Sequence, residues 1–165
     1  MRHASRALAV SLVVVASLVV SSSAQQSAID KSYFGLWKLN VAKSKYEPGP
    51  GPKESTRKHE DRGNGFVLIV TDSTNAQGAK THGEYVYKPD GKDYPVAGKG
   101  QTAFFTINLK AVDPYTVDFV QKADGTQFNT GKRTVSKDGK TMTIETKGTN
   151  PQGQPTSSMA VWEKQ

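Results

Sequence analysis

Catalysis near neutral pH needs an activated nucleophile, a metal-ligand cluster or a phosphate-binding loop, and few side chains in this sequence could supply one. There is no cysteine, and His3, His59 and His82 are the only histidines. His3 lies in the N-terminal run. His59 and His82 each stand alone in polar stretches and read as solvated surface residues. Neither G-x-S-x-G nor H-E-x-x-H occurs. Asp90, Asp93 and Asp113 have oxygen chemistry suited to calcium, but Asp90-Gly91 and Asp113-Pro114 are sufficiently explained as turns. No catalytic residue, metal ligand or cofactor is assigned, and the chain is not expected to be an enzyme.

Binding chemistry is the alternative. The dibasic pairs Arg57-Lys58 and Lys132-Arg133 could form a basic face attracting acidic polysaccharide or lipid head groups. Lysines elsewhere flank turns and alternate with acids, as in Lys53-Glu54 and Glu60-Asp61-Arg62, which marks solvated strand faces rather than a nucleic-acid patch. Tyrosines bring apolar area with a polar tip, and Tyr85, Tyr87 and Tyr115 fall in strand-like runs.

The elements that must position these residues are short strands. Turn signals recur at intervals near those of barrels and sandwiches: Gly63-Asn64-Gly65, Asn75 to Gly78, Asp90-Gly91, Gly98-Lys99-Gly100, Asp113-Pro114, Asp124-Gly125, Asp138-Gly139 and Asn150 to Gly153. Asn or Asp before Gly supplies the positive φ of tight hairpins. About ten strands lie between them, with no helical periodicity. In Thr102 to Leu109, Ala103, Phe105, Ile107 and Leu109 share one face; Tyr115, Val117 and Phe119 make the next.

An internal repeat sharpens the phase. Thr71 to Thr81 matches Thr146 to Thr156 at an offset of 75 residues, with a shared N-x-Q-G loop, and Val67 and Ile69 meet Met142 and Ile144 at the same offset. Positions apolar in both copies are core candidates, so Val67, Ile69, Met142 and Ile144 are placed inward, ahead of Phe66, Leu68 and Val70. The pairs Val86-Tyr87 and Val161-Trp162 leave the inward member open.

Residues 1–24 have Arg2 and Arg6, an uncharged run from Ala7 to Val20, and Ser22 and Ala24 before Gln25. This is the pattern of a secretory signal peptide, shorter than the roughly 20 apolar residues of a membrane span. Its removal leaves 141 of 165 residues, one domain, and lowers the formal net charge from +7 to +5. Residues 25–32 read as a flexible arm and 33–165 as a single domain, with export to the periplasm or exterior and oligomeric state open. Pro48-Gly49-Pro50-Gly51-Pro52 reads as a short extended connection.

The run Phe34-Gly35-Leu36-Trp37-Lys38-Leu39 resembles the first strand of the calycins, the superfamily of lipocalins and fatty-acid-binding proteins. In those proteins the glycine bends the strand and the tryptophan closes one barrel end. Val161-Trp162-Glu163-Lys164 resembles the family's last strand, which ends on an inward aromatic, and this favours Tyr87 and Trp162 as inward. The resemblance implies an all-β, antiparallel up-and-down meander closing into an eight- to ten-stranded barrel. Two departures matter. No run is long enough for a helical lid after the first strand, and Ala160 occupies the position where fatty-acid-binding proteins commonly carry a carboxylate-binding arginine. A haem-binding relative would need further glycines where Lys38-Leu39-Asn40 stands.

The expected function is a secreted, lipocalin-like binding protein holding a small apolar or amphipathic ligand, with a filled barrel acting through its surface as the alternative. Ligand-lining candidates are Trp37, Leu39, Val67, Ile69, Tyr85, Tyr87, Phe105, Ile107, Tyr115, Val117, Phe119, Met142, Ile144 and Trp162. A dry cavity of about 300 Å³ costs about 7 kcal/mol at about 24 cal/mol per Å³, comparable to a domain's whole stability, so an empty pocket should be partly polar and wet. With no cation on the last strand, neutral ligands are expected to outbind acids. Arg133 would change that only if Gly131 bulged its strand and turned the side chain inward.

Overall fold

A computed structural model describes residues 28–98 and 103–165. The signal peptide read at 1–24, the start of the arm, the centre of the Gly98-Lys99-Gly100 turn and Thr102 lie outside the described residues.

The chain runs through a 3₁₀ turn, Lys31–Tyr33, and then eleven strands among the described residues: β1 (Gly35–Glu47), β2 (Glu54–Asp61), β3 (Val67–Thr74), β4 (Lys80–Tyr87), β5 (Asp90–Pro95), β6 (Ala97–Gly98), β7 (Phe105–Asp113), β8 (Thr116–Ala123), β9 (Thr126–Val135), β10 (Thr141–Thr149) and β11 (Pro155–Lys164). All pair antiparallel in one sheet of order β5-β7-β8-β9-β10-β11-β1-β2-β3-β4-β6. The first strand therefore pairs with the last, Trp37 opposite Lys164 and Leu39 opposite Trp162. The two end strands of the sheet, β5 and β6, are separated in sequence by Val96 alone. β5 bonds to β7 and β6 bonds to β4, so this one ribbon brings the ends of the meander together. Eleven strands slightly exceed the expected range because the ribbon counts twice.

Turn chemistry explains most corners. Asn64 (φ 53°) and Asp124 (φ 49°) occupy the left-handed region in the β2–β3 and β8–β9 hairpins. The two repeat copies fold alike: Asn75 Oδ1 accepts from Gln77 N (3.0 Å) and Ala79 N (2.9 Å), and Asn150 Oδ1 accepts from Gln152 N (3.0 Å) and Gln154 N (2.9 Å). Asp90-Gly91 turns the chain into β5, with Gly91 at φ 79° and Asp90 Oδ1 accepting from Lys92 N (3.1 Å), and the register against β7 shifts between Asp90 and Asp93. β1 runs beyond the expected Leu39 because its register against β11 shifts between Asn40 and Lys45, and the Ser44 hydroxyl there accepts from Val161 N (2.9 Å).

The arm is corrected over its described part. Ile29 is buried, Asp30 N donates to Pro114 O (2.7 Å), and the buried Tyr33 places its hydroxyl 3.0 Å from Tyr115 O and 2.8 Å from Arg133 O. Residues 29–34 thus seal one end of the barrel. Gly35 (φ +125°) makes the bend from this seal into β1, with Lys164 Cε 3.0 Å from where a Cβ would stand. Trp37 is fully buried beneath the seal, its indole N–H donating to Tyr33 O (3.0 Å) and its ring under Lys164 Nζ (5.1 Å to the centroid).

Candidate functional site

Period-two alternation turns Ser55, Arg57 and His59 of β2, Val67 and Ile69 of β3, Tyr85 and Tyr87 of β4, Arg133 and Val135 of β9, Met142 and Ile144 of β10, and Ala160 and Trp162 of β11 to the interior. Near the sealed end packing is complete, with Trp37, Tyr33, His59, Val67, Tyr87, Val117, Val135 and Met142 all at most 1% exposed. Toward the other end Tyr46, Arg57, Thr71, Tyr85, Phe105 and Phe128 are only half-buried. The interior is fully packed at one end and less tightly covered at the other.

Arg57 and Arg133 meet in this interior. Arg133 is 1% exposed and donates from Nη2 to the Tyr85 hydroxyl (3.0 Å). Arg57 donates from Nε to Thr71 Oγ1 (3.1 Å), with its guanidinium 5.2 Å from the Trp162 ring centroid. Tyr85 and Tyr87 stack at an angle, centroids 5.8 Å apart. No carboxylate joins them: the buried polar side chains among the described residues are Ser55, His59 and Arg133, and neither arginine takes part in any ion pair found there. Several donors are left over. Arg133 Nε and Nη1 and Trp162 Nε1 are buried without a hydrogen-bond partner, while the Tyr87 hydroxyl lies against Arg133 and the His59 ring against the Tyr33 backbone.

The electrostatics follow from two like charges in a confined space. Burial, reinforced by Arg133, pulls the Arg57 guanidinium down to about 10, which leaves it charged at neutral pH. Burial also opposes the charge of Arg133, but the facing Tyr85, Tyr87 and Tyr33 oxygens more than offset it. Burial pushes the Tyr87 phenol up to about 12; at Tyr85 the same effect is outweighed by Arg133 and Arg57, which hold its phenol below the ordinary tyrosine value. Burial and the two arginines keep His59 well below the usual imidazole range, so it is neutral.

Most sequence-predicted lining residues come together inside. Trp37, Leu39, Val67, Ile69, Tyr87, Ile107, Val117, Phe119, Met142, Ile144 and Trp162 are buried. Tyr85 and Phe105 are half-buried, Phe105 meeting Phe128 edge-on at 5.8 Å. Tyr115 is set apart in the β7–β8 turn, where its carbonyl serves the seal.

Three expectations are corrected. His59 is not on the surface: it lies 6.4 Å from the Tyr33 ring and 6.5 Å from the Trp37 ring, whereas His82 is on the outside beside Asp72 (2.7 Å). The dibasic pairs do not form one basic face, because Arg57 and Arg133 point in and Lys58 and Lys132 point out. Arg133 faces inward without a bulge at Gly131, which pairs in register with Phe119 and Thr146. The available signal was Val135, two residues on and just before the Asp138-Gly139 turn, since residues two apart share a face.

The outer wall carries a groove of about 310 Å³, which runs between Leu68, Glu84, Tyr85 and Val86 on one side and Pro95, Val96 and Ala97 on the other, so Tyr85 borders both groove and interior.

No protein-family model and no curated protein sequence matches the chain. Among solved structures, a redesigned beta barrel, b11L5F_LGL, superposes with a TM-score of 0.51 over 85% of this chain and 99% of its own, at 13% identity. Another, EF1p2_mFAP2b bound to DFHBI, covers 81% of this chain and 94% of its own with a TM-score of 0.49 and 11% identity. At 13% identity the likeness to the redesigned barrel concerns architecture alone, and it agrees with the strand order above, that of an antiparallel β-barrel.

Proposed function

We propose that this barrel is an exported, non-enzymatic binding protein that holds a small amphipathic molecule in its interior. One observation carries the reading: buried donors on inward side chains, Trp162 Nε1 and Arg133 Nε and Nη1, have no hydrogen-bond partner within the protein. Each such group costs free energy when desolvated alone, so a fold that keeps several together has something to place against them. Apolar neighbours Ile69, Ile144 and Phe119 give the same interior affinity for a hydrocarbon or aromatic body. The leader pattern at residues 1–24 supports export.

Native mass spectrometry of secreted protein, purified without delipidation, tests both parts. The expected result is a polypeptide beginning at Gln25 that carries a small molecule released on denaturation. A polypeptide retaining residues 1–24 would end the export claim. A protein that carries nothing, and whose Trp162 emission no amphiphile alters, is a filled barrel working through its outer surface.

A further inference from the structure

Taken as donors and acceptors, the interior is lopsided. Arginine donates and never accepts, and an indole N–H only donates. Arg57 donates from Nε to Thr71; of Arg133's donors, Nη2 reaches Tyr85 while Nε and Nη1 are buried without a hydrogen-bond partner. Trp162 Nε1 adds to the surplus. Against this the described residues bury no Asp or Glu side chain. The elements facing the pair contribute Tyr46 from β1, His59 from β2 and Tyr85 and Tyr87 from β4, none of which brings a fixed negative charge.

Two guanidinium charges without a counter-charge are costly in a confined space, and the arrangement makes sense as half of a pair whose other half arrives with the ligand. A neutral hydroxyl or carbonyl would leave both charges uncompensated. A carboxylate brings one charge and about four lone-pair sites, fewer than the idle donors. A phosphate monoester brings roughly −1.5 to −2 at neutral pH and three acceptor oxygens, and guanidinium forks match such oxygens bidentately.

We propose that the interior is a site for an amphiphile with a dianionic oxyanion head, a phosphate monoester, its head held jointly by Arg57 of β2 and Arg133 of β9 and its tail directed to the less tightly covered end, along Tyr46, Phe105 and Phe128. This rests on the binding-protein reading and names the ligand class for it. It reverses the expectation that neutral ligands outbind acids, because the cations stand on β2 and β9 and not on the last strand.

Quenching of Trp162 during titration with decyl phosphate, decanoate, decanol and inorganic phosphate at pH 8 tests it on the intact mature protein. Decyl phosphate is expected to bind at least tenfold tighter than decanoate and at least a hundredfold tighter than decanol, with inorganic phosphate weaker than decyl phosphate. Arg133→Met and Arg57→Met should each reduce decyl phosphate affinity at least tenfold and leave decanol within about threefold. Thermal melts of both variants check folding, and Arg57→Met, at a half-exposed position, serves if Arg133→Met fails to fold. Decanoate equal to or tighter than decyl phosphate overturns the dianion assignment. Inorganic phosphate as tight as decyl phosphate overturns the place given to the tail. Decanol binding where the acids do not overturns the head group and leaves the container reading standing, while binding by none of the four overturns both.

Discussion

His59 and His82 titrate in opposite directions, and together they predict how stability responds to mild acid. Burial and the neighbouring arginines hold folded His59 well below 6.5, so below pH 6.5 the unfolded chain binds a proton there that the folded chain refuses. Stability is then lost as pH falls, by at most about 1.4 kcal/mol per pH unit for one group. His82, raised by its hydrogen bond to Asp72, contributes in the opposite sense, but it is exposed and screened. The denaturant midpoint should therefore drop between pH 7 and pH 5, and His59→Gln should flatten that drop; an unchanged slope in the variant would place the proton uptake elsewhere. The position was illegible in the sequence for a physical reason. Alternation is visible only when the two faces differ in polarity, and on β2 the inward set Ser55, Arg57 and His59 is as polar as the outward Thr56, Lys58 and Glu60. Where the inward residues are apolar, as at Val67 and Ile69 or Met142 and Ile144, the phase was readable and correct.

β8 and β9 meet at a glycine that works by subtraction. A Cβ on Gly131 would collide with Glu145 O and the end of the Phe119 ring, so the missing side chain is what seats Phe119. Gly131→Ala should destabilise by about 1–3 kcal/mol through overpacking, measured in urea melts; a neutral result would mean that Phe119 can move aside without loss. In the sequence Gly131 leaves the direction of Arg133 open, because glycine inside a strand signals either a bulge or a close approach and the sequence does not say which. Turns were more legible. The two N-x-Q-G loops share their hydrogen bonds because an asparagine carbonyl reaching the next backbone N–H groups is a local interaction that tertiary context need not supply. Asp90-Gly91 keeps the same local chemistry, with Gly91 at φ 79° and Asp90 Oδ1 accepting from Lys92 N (3.1 Å), and at the start of β5 it appears as a register shift against β7.

At the scale of the whole barrel, the seal and Trp37 form one unit. The indole is wedged under residues 29–34, between His59 and Lys164, and anchors both the entry of β1 and its contact with the last strand. Trp37→Ala should cost about 3–5 kcal/mol, against a typical domain stability of about 5–15; a loss under about 1 kcal/mol in denaturant melts would show that the seal holds without it. Fold class and the pairing of first with last strand were readable from Phe34 to Leu39 and from Val161 to Lys164. The docking of the arm was not, since it depends on Ile29, Asp30 and Tyr33 meeting Pro114, Tyr115 and Arg133, contacts between segments far apart in the chain.

The ribbon that joins the sheet's ends holds β4 through two residue pairs, Gly83 with Gly98 and Glu84 with Ala97, while β2 and β3 share eight. Both glycines lack side chains that could clasp across the join, and the groove bordered by Tyr85 lies alongside it. Opening at this place costs only a local free energy and leaves the long pairings and the seal intact. Among the described residues this is the shortest pairing in the sheet, so amide hydrogen exchange should be faster at Glu84 and Ala97 than across β2 and β3.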